Sequence, residues 1–266
     1  MTRPDTAEAP RADKRFGQNF LHDRRVIDRI VAAIAPRPDD CIVEIGPGEG
    51  ALTAPLLDAG ARVTALELDT RMLPGLERRF GDSANARILH ADALATDLAT
   101  LYPDAGTIRL VGNLPYNIST PLLFHVLRFA GIVTDMHFML QREVVARMCA
   151  APGGKEYGRL TVALAAQARV EALFDVAPGA FRPAPKVTST VVRLRPAMPE
   201  IPLQAPERLD ALLRAAFAKR RKTLSNALAG VCTAAELETC GIDPRARAET
   251  VPVTDWIRLA NHLARG

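Results

Sequence analysis

The sequence of 266 residues has little of what builds metal centres, disulfide frameworks or membrane spans. Its four cysteines, Cys41, Cys149, Cys232 and Cys240, include no CxxC pair and no histidine at a metal-ligand spacing. No apolar run approaches the roughly 18 residues that a membrane helix needs. Residues 1–13 are polar and lack the apolar core of a signal peptide. These absences predict reduced thiols, no metal, no membrane contact and a cytoplasmic location.

What is present indicates a folded, mildly basic protein. Apolar residues make up 48% of the chain, enough for a large core and too many for a disordered segment. The length allows one large domain, or one domain and a smaller one. The net charge of +4 permits a nucleic-acid partner but does not prove one.

Short apolar segments of strand length alternate with helical patterns over most of the chain. Such alternation predicts an α/β fold with a mostly parallel, doubly wound sheet covered by helices on both faces. A helix is predicted over 22–35 from its amphipathic spacing. The predicted strands are 41–46, 61–69, 86–92, 107–113, 135–140, 171–176 and 186–195.

The end of the chain differs from the rest in composition. Residues 196–206 contain four prolines in eleven positions, which predicts a linker over 197–206. Residues 207–266 show only helical patterns, including one continuous helix over 206–230. We therefore predict a loose tail (1–13), an α/β domain (14–196), the linker and a small all-helical domain (207–266).

A glycine-rich turn, Gly46-Pro47-Gly48-Glu49-Gly50, follows the first long strand and precedes a helix. Glycines there let the backbone approach a ligand closely, although a plain tight turn would use the same residues. The spacing GxGxG differs from the dinucleotide fingerprint GxGxxG. Glu49 would repel a pyrophosphate but would tolerate a cationic ligand, which favours S-adenosylmethionine.

Acidic residues follow the next two strands. Glu67 lies 21 residues after Gly46 and could accept hydrogen bonds from two ribose hydroxyls. Asp92 could accept one from an adenine amino group, or could instead cap a helix. Asp69 is interpreted as a solvated or capping residue. Together, Gly46, Glu67 and Asp92 predict an adenine nucleoside in the sheet crevice.

The segment Asn113-Leu114-Pro115-Tyr116 lies where the fourth strand ends. The Asn113 Oδ1 atom and a carbonyl of Leu114 or Pro115 could accept hydrogen bonds from an exocyclic amino group and stabilise the charge that develops on its nitrogen. Tyr116 could stack on the base. The alternative is a strand-ending turn with a half-buried tyrosine.

The complete set of motifs resembles the bacterial ribosomal RNA adenine N6-dimethyltransferase family, with a class I Rossmann-like methyltransferase domain. The resemblance runs from about residue 14 to the end of the chain. It is carried by KRFGQNFLHD (14–23), VEIGPGEGALT (43–53), ALELD (65–69), HADAL (90–94), GNLPYNIST (112–120), QREVVARM (141–148), FRPAPKVTSTVVRL (181–194) and FAKRRKTLSNAL (217–228).

This resemblance implies an enzyme that uses S-adenosylmethionine to dimethylate N6 of two adjacent adenosines. These lie in the 3′-terminal hairpin loop of 16S rRNA, within the small (30S) ribosomal subunit or its precursor. The resemblance also implies that the segment 18–21 lies over the cofactor. The cofactor-binding residues that it implies are Asn19, Leu21, Gly46, Glu67, Asp92 and Asn113. The glycine turn adds Gly48 to this set. A monomer is expected.

Three basic clusters are candidates for RNA contact. Arg182 and Lys186 lie in a stiff proline-containing loop, and Lys219-Arg220-Arg221-Lys222 lies on the predicted helix. Lys14 and Arg15, with Arg24 and Arg25, form the third cluster. The resemblance also implies that Phe181 closes the face of the adenine opposite Tyr116; the alternative is a core residue.

Three other functions remain open at this point. One is a related 23S rRNA adenine methyltransferase of the macrolide-resistance type, which shares the glycine turn and a similar NxPY motif. A dinucleotide-dependent oxidoreductase is disfavoured by GxGxG and Glu49. A non-catalytic ribosome-assembly or transcription factor is disfavoured by the intact NLPY segment.

Overall fold

A computed structural model describes residues 12–13, 17–116 and 118–265 of the chain. Lys14 and Arg15 of the third basic cluster lie outside the described residues. Within them, no helix is long and apolar enough to cross a membrane.

The strands confirm the predicted α/β architecture. They are β1 Phe20–Leu21, β2 Cys41–Ile45, β3 Arg62–Glu67, β4 Ala86–His90, β5 Ile108–Asn113, β6 Val133–Gln141, β7 Ala168–Val176, β8 Phe181–Arg182 and β9 Ser189–Pro196. Seven form one sheet in the order β4-β3-β2-β5-β6-β9-β7. The first five strands in this order, β4, β3, β2, β5 and β6, are each parallel to their neighbours among them. The central β2 is buried along its whole length, which explains its unbroken apolar run.

The helices lie largely where the sequence predicts them. They are α1 Arg24–Ile34, α2 Thr53–Asp58, α3 Leu73–Phe80, α4 Ser119–Val126, α5 Arg142–Met148, α6 Arg159–Ala165, α7 Pro206–Ala218, α8 Leu224–Ala227, α9 Ala234–Thr239 and α10 Val253–Leu263. The side chain of Asp23 caps α1 by accepting hydrogen bonds from two backbone N–H groups. The buried face of α1 consists of Ile27, Ile30 and Ile34.

One predicted helix is wrong. The helix over 206–230 is interrupted, because α7 ends at Ala218 and α8 begins at Leu224. Residues 219–223 form a turn between them, and Thr223 of this turn pairs with Arg247 in a β-bridge that competes with helix continuation. Strand β7 begins at Ala168, three residues before the predicted strand 171–176.

A buried ion-pair network ties α1 to the amino ends of β5 and β6. Arg109 donates two hydrogen bonds of 2.9 Å to Asp135 and one of 2.7 Å to Asp40. It also donates to the carbonyls of Ile34 and Ala35, which end α1 without intrahelical partners. Arg109 thus provides hydrogen-bond donors for two carboxylates and for the last carbonyls of α1. All of them lie at the edge of the sheet away from the glycine turn.

The chain divides into two compact units. The first comprises the chain up to Arg142 together with Leu173–Arg193, and the second comprises Glu143–Ala172 and the chain from Leu194 onward. Helices α6, α7 and α10 pack against one another within the second unit. The predicted boundary at 197–206 does not coincide with this division, because α5 and α6 precede it in the sequence.

The Pro-rich segment is bonded to the second unit. The buried side chain of Asn261, in α10, accepts a hydrogen bond of 2.8 Å from the Gln204 N–H. It donates another of 2.8 Å to the Pro202 carbonyl. These two bonds hold the segment against the last helix.

Candidate active site

A cavity of about 280 Å³ lies in the first unit at the carboxyl ends of β2, β3 and β5. Ligands of open α/β sheets bind at such a position. All seven predicted cofactor-binding residues line it: Asn19, Leu21, Gly46, Gly48, Glu67, Asp92 and Asn113. The cavity therefore brings together residues that are spread over almost a hundred positions of the chain.

The glycine turn forms one wall of this cavity. Gly46, Gly48 and Gly50 all have positive φ, between 56° and 78°, a region that side chains with a Cβ rarely adopt. The N–H of Gly46 donates to the Leu66 carbonyl at 2.9 Å, which joins the turn to β3. A Cβ on Gly48 would lie 3.0 Å from the ring of Phe20, so this glycine also makes room for a neighbouring segment.

The Glu67 carboxylate is held rigidly at the end of β3. It is 5% exposed and accepts backbone N–H bonds from Asp69 at 2.9 Å and from Gly48 at 3.1 Å. Burial raises the pKa of Glu67, and these two donors oppose that effect. The oxygens keep acceptor capacity toward the cavity, as required for binding two hydroxyl groups.

Asp92 is more exposed than Glu67 and also lines the cavity. Its Oδ1 accepts a hydrogen bond of 2.9 Å from the Leu94 N–H, and its carbonyl accepts from the Thr96 hydroxyl. Asp92 thus caps a turn, since no α-helix follows it. This capping leaves Oδ2 available to a ligand.

Glu44 is a buried carboxyl group of the cavity that the sequence analysis missed. It is 2% exposed, and its Oε2 accepts a hydrogen bond of 2.6 Å from the Thr53 hydroxyl. Burial raises the pKa of Glu44 to about 7. When a glutamate lies within an apolar strand, the sequence does not show whether its side chain faces a cavity or the core.

The charge on the cavity wall has one sign. Of the described residues that line it, Glu44, Glu49, Glu67 and Asp92 carry carboxyl groups and none carries a cationic side chain. A pyrophosphate would be repelled by this wall, whereas a ligand with net positive charge would be attracted.

Asn113 lies at the end of β5 with its amide oriented by a backbone group. Its Nδ2 donates a hydrogen bond of 2.8 Å to the Asn19 carbonyl. The opposite end of the amide, Oδ1, is therefore the end available to a ligand. The sequence predicts an acceptor role for this atom, but not the partner that orients it.

The residues after Asn113 form a tight turn into α4. The Pro115 carbonyl accepts hydrogen bonds from the Ser119 hydroxyl at 3.0 Å and from the Ile118 N–H at 3.2 Å. The N–H of Leu114 donates to the Met139 carbonyl at 3.2 Å. Among the described residues, no hydrogen bond to the Leu114 carbonyl is found. Of the two carbonyls considered, that of Leu114 is thus the better candidate acceptor.

Tyr116 lines the cavity and is anchored by a residue that the sequence analysis did not identify. Its hydroxyl lies 2.7 Å from the hydroxyl of Ser189, which is fully buried at the start of β9. Burial raises the pKa of the Tyr116 hydroxyl, so this hydroxyl stays protonated at neutral pH. The bond fixes the position of the hydroxyl end of the Tyr116 side chain at the cavity wall.

Residues 17–21, here called the strap, line the cavity. Gln18 donates a hydrogen bond of 2.8 Å to Asp69, and Leu21 pairs with Phe181 in a two-stranded sheet. Asp69 is 2% exposed and therefore not solvated, but the other interpretation, a capping residue, is confirmed, because its Oδ1 accepts a hydrogen bond of 3.1 Å from the Arg71 N–H. Hydrogen bonds from Arg71 lower the pKa of Asp69 to about 2.

The chain is similar to known proteins along almost its whole length. The family model described as ribosomal RNA adenine dimethylase matches residues 9–265. The chain belongs to the ribosomal RNA adenine dimethylase family. A relative from Pseudomonas fluorescens, named ribosomal RNA small subunit methyltransferase A, is 50% identical over 96% of this chain and 94% of its own. One from Xanthomonas campestris with the same name is 53% identical over 94% and 95%.

Two solved structures, of a dimethyladenosine transferase and of a 23S rRNA methyltransferase, share the fold. A dimethyladenosine transferase from Plasmodium falciparum aligns with a TM-score of 0.76 and 25% identity, over 90% of this chain and 95% of its own. The 23S rRNA methyltransferase ErmE aligns with a TM-score of 0.68 and 30% identity, over 92% and 100%. The α/β methyltransferase fold expected from the sequence is therefore confirmed, and the family is one of S-adenosylmethionine-dependent enzymes.

Phe181 is buried next to a residue of the cavity wall. It is 3% exposed, belongs to the core cluster that includes Leu21, Ile27 and Val191, and does not itself line the cavity. Its strand partner Leu21 belongs to the same cluster and does line the cavity. The contact with the adenine that the family resemblance implies stays a prediction.

The predicted RNA-contact residues that the structure describes are exposed. Arg182 and Lys186 lie in the first unit, in the loop that leads to Ser189. In the second unit, Lys219-Lys222 lie in the turn between α7 and α8 and not on a helix. Arg220 is engaged within the protein, since it donates to the Lys155 carbonyl at 2.7 Å and approaches Glu249 at 3.8 Å.

Proposed function

We propose that this protein transfers methyl groups from S-adenosylmethionine to N6 of two adjacent adenosines, two methyl groups to each. The target is the 3′-terminal hairpin loop of 16S rRNA in the small ribosomal subunit or its precursor. The observation that carries the proposal is the cavity itself, which the described residues line with four carboxyl groups, the Asn113 amide and no cationic side chain. Its relatives named small subunit methyltransferase A support the choice of RNA.

The residues of the cavity fit S-adenosylmethionine. When bound, this cofactor supplies an electrophilic methyl group on a positively charged sulfonium. Glu67 would hold the ribose hydroxyls, because its carboxylate is already fixed by two backbone donors. Asp92 would accept from the adenine amino group with the oxygen that its turn leaves available, and the four carboxyl groups would favour the positive charge.

Asn113 and Leu114 would hold the nitrogen that receives the methyl group. An exocyclic amino group is a weak nucleophile, since its lone pair is delocalised into the ring. Two acceptors, the Asn113 Oδ1 atom and the Leu114 carbonyl, would orient both N–H bonds and stabilise the positive charge that develops on the nitrogen. Pro115 restricts the backbone that presents this carbonyl. The product nitrogen is then acidic enough to lose its proton to water.

Tyr116 would support one face of the adenine by stacking. Its bond to Ser189 keeps the hydroxyl end of the side chain in place while the base enters. Single-stranded loops offer such bases at a low cost of unstacking, which suits a hairpin-loop target.

Exposed cations would contact the RNA backbone. In the first unit these are Arg182 and Lys186; in the second they are Lys219, Arg220, Arg221 and Lys222, with Lys14 and Arg15 as further candidates from the sequence. We further propose that the protein acts as a monomer, without a metal ion, in the bacterial cytoplasm where small subunits are assembled.

Methylation assays test the proposal directly. Small subunits from cells that lack this protein are incubated with the enzyme and labelled cofactor, in parallel with free 23S rRNA. We expect dimethyladenosine in 16S rRNA only, and mass spectrometry of the RNA identifies the positions. Labelling of 23S rRNA instead would favour the ErmE-like activity. Binding of NAD but not S-adenosylmethionine would refute the cofactor assignment.

Variants of the site provide the second test. Asn113→Ala and Glu67→Ala should each reduce turnover strongly, the former with little loss of cofactor affinity and the latter with a large loss. The matched control is Asn226→Ala, an exposed asparagine of the second unit outside the proposed site. Turnover equal to that of the wild type in both site variants would overturn the assignment of residues.

A further inference from the structure

The strap does more than cover the cavity, because it determines which end of the Asn113 amide faces the substrate. A side-chain amide has one end that only donates and one that only accepts. The Nδ2 end is bonded to the Asn19 carbonyl at 2.8 Å. If the amide were rotated by half a turn, its NH₂ group would face the incoming amino group. Both groups are donors, so no hydrogen bond would form between them. The Asn19 carbonyl thus sets the hydrogen-bond polarity of the site.

The Asn19 carbonyl is held on its amino-terminal side by Gln18. The Gln18 amide is used at both ends, since Nε2 donates to Asp69 at 2.8 Å and Oε1 accepts from the Asp13 N–H at 2.9 Å. Asp69 is itself fixed, because Arg71 donates to it at 2.6 Å and 2.9 Å. A hydrogen bond to a buried carboxylate is among the stronger ones in proteins.

The strap is held on the carboxyl-terminal side of Asn19 by apolar contacts and by strand pairing. Phe20 lies against Gly48 and packs with the cluster of Met72, Leu76 and Phe80. Strand β1, which begins at Phe20, also pairs with β8. On the amino-terminal side of Asn19, the hydrogen bond from the Gln18 side chain to Asp69 is the directional contact.

We propose that Gln18 is a positioning residue for methyl transfer: its hydrogen bond to Asp69 fixes the Asn19 carbonyl, and that carbonyl keeps the Asn113 Oδ1 atom turned toward the substrate amino group. The inference rests on the proposed function and deepens it. It means that the element over the cofactor also prepares the acceptor site. Cofactor binding and the readiness of Asn113 are consequently coupled.

The test uses Gln18→Glu, which has nearly the same shape. The variant keeps an acceptor for the Asp13 N–H but places a second carboxylate against Asp69. At about pH 8, where both groups are ionised, we expect kcat at saturating cofactor to fall about tenfold, as for loss of a hydrogen bond to a charged group. At about pH 5.5 the introduced carboxylate and Asp69 share one proton, which restores the hydrogen bond between them. The ratio of variant to wild-type kcat should therefore be higher at about pH 5.5 than at about pH 8.

Gln18→Ala gives a second variant without like-charge repulsion. It should lose kcat to a similar extent at both pH values, and isothermal titration should show weaker binding of S-adenosylmethionine to both variants. The matched control is Gln204→Glu, an exposed change in the second unit that should leave kcat and cofactor affinity unchanged. Thermal melting shows that each variant is folded.

Two results would overturn the inference while leaving the proposed function intact. One is wild-type kcat in both Gln18 variants at saturating cofactor, which would mean that the strap serves cofactor binding only. The other is a kcat ratio for Gln18→Glu that does not change with pH. Absence of RNA methylation by the wild type would instead refute the proposed function itself.

Discussion

Replacement of Glu44 by glutamine should change how stability depends on pH. Glu44 is buried, accepts a hydrogen bond from Thr53, and faces the charge of Glu67. Burial raises its pKa from an ordinary 4.5 to about 7. Between these values the folded protein binds a proton that the unfolded chain has lost, so the wild type becomes less stable as pH rises through this window.

The size of the effect follows from the two pKa values. At about 1.4 kcal/mol per pKa unit, the difference between 4.5 and about 7 amounts to about 3 kcal/mol of unfolding free energy. Glu44→Gln keeps an oxygen for the Thr53 hydroxyl and carries no charge at any pH. The variant should therefore match the wild type near pH 4.5 and be more stable by up to about 3 kcal/mol above pH 8.

Urea denaturation of the cofactor-free protein between pH 4.5 and pH 8.5 measures this difference. The control is Glu238→Gln, at an exposed glutamate of α9, which should not alter the slope. Parallel stability curves for wild type and Glu44→Gln would refute the reasoning. The gain in stability should come with weaker cofactor binding, because the variant removes negative charge from the cavity wall.

Further predictions concern the ring, the turn and the ion-pair network. Ser189→Ala and Tyr116→Phe should each lower kcat, and the double variant should cost no more than either alone, because both remove one hydrogen bond; additive losses in a double-mutant cycle would contradict this. Gly48→Ala should weaken cofactor binding about tenfold in calorimetry, because its Cβ adds backbone strain and displaces Phe20; unchanged affinity would be the contrary result. Arg109→Met should lower unfolding free energy by about 3–5 kcal/mol, since two carboxylates lose their partner, and a smaller loss in urea would show that water replaces the cation.

Much of the fold could be predicted because its strands are buried on both faces. A strand such as Cys41–Ile45 is an unbroken apolar run, and the turn after it needs glycines for a local reason. Each of these signals lies within a few residues. The placement of Gly46, Glu67 and Asn113 in one cavity then follows from the rule that parallel strands end at the same edge.

The parts that could not be predicted depend on partners far away in the sequence. Ser189 and Tyr116 are 73 positions apart, and Gln18 and Asp69 are 51 apart. A buried aspartate and a solvated one look alike until the residue that covers it is known. The burial of Phe181 depends in the same way on a distant partner, since it pairs with Leu21 of the strap.

The division of the chain into two units limits how the protein can be taken apart. The chain passes from one unit to the other after Arg142, Ala172 and Arg193, so neither unit is encoded by one continuous stretch of gene. A fragment of residues 207–266 would lack Arg159, whose guanidinium binds Asp210 of α7 at 2.7 Å, and the whole of α6. Exchange of the second unit between members of this family would therefore have to transplant two separate segments at once.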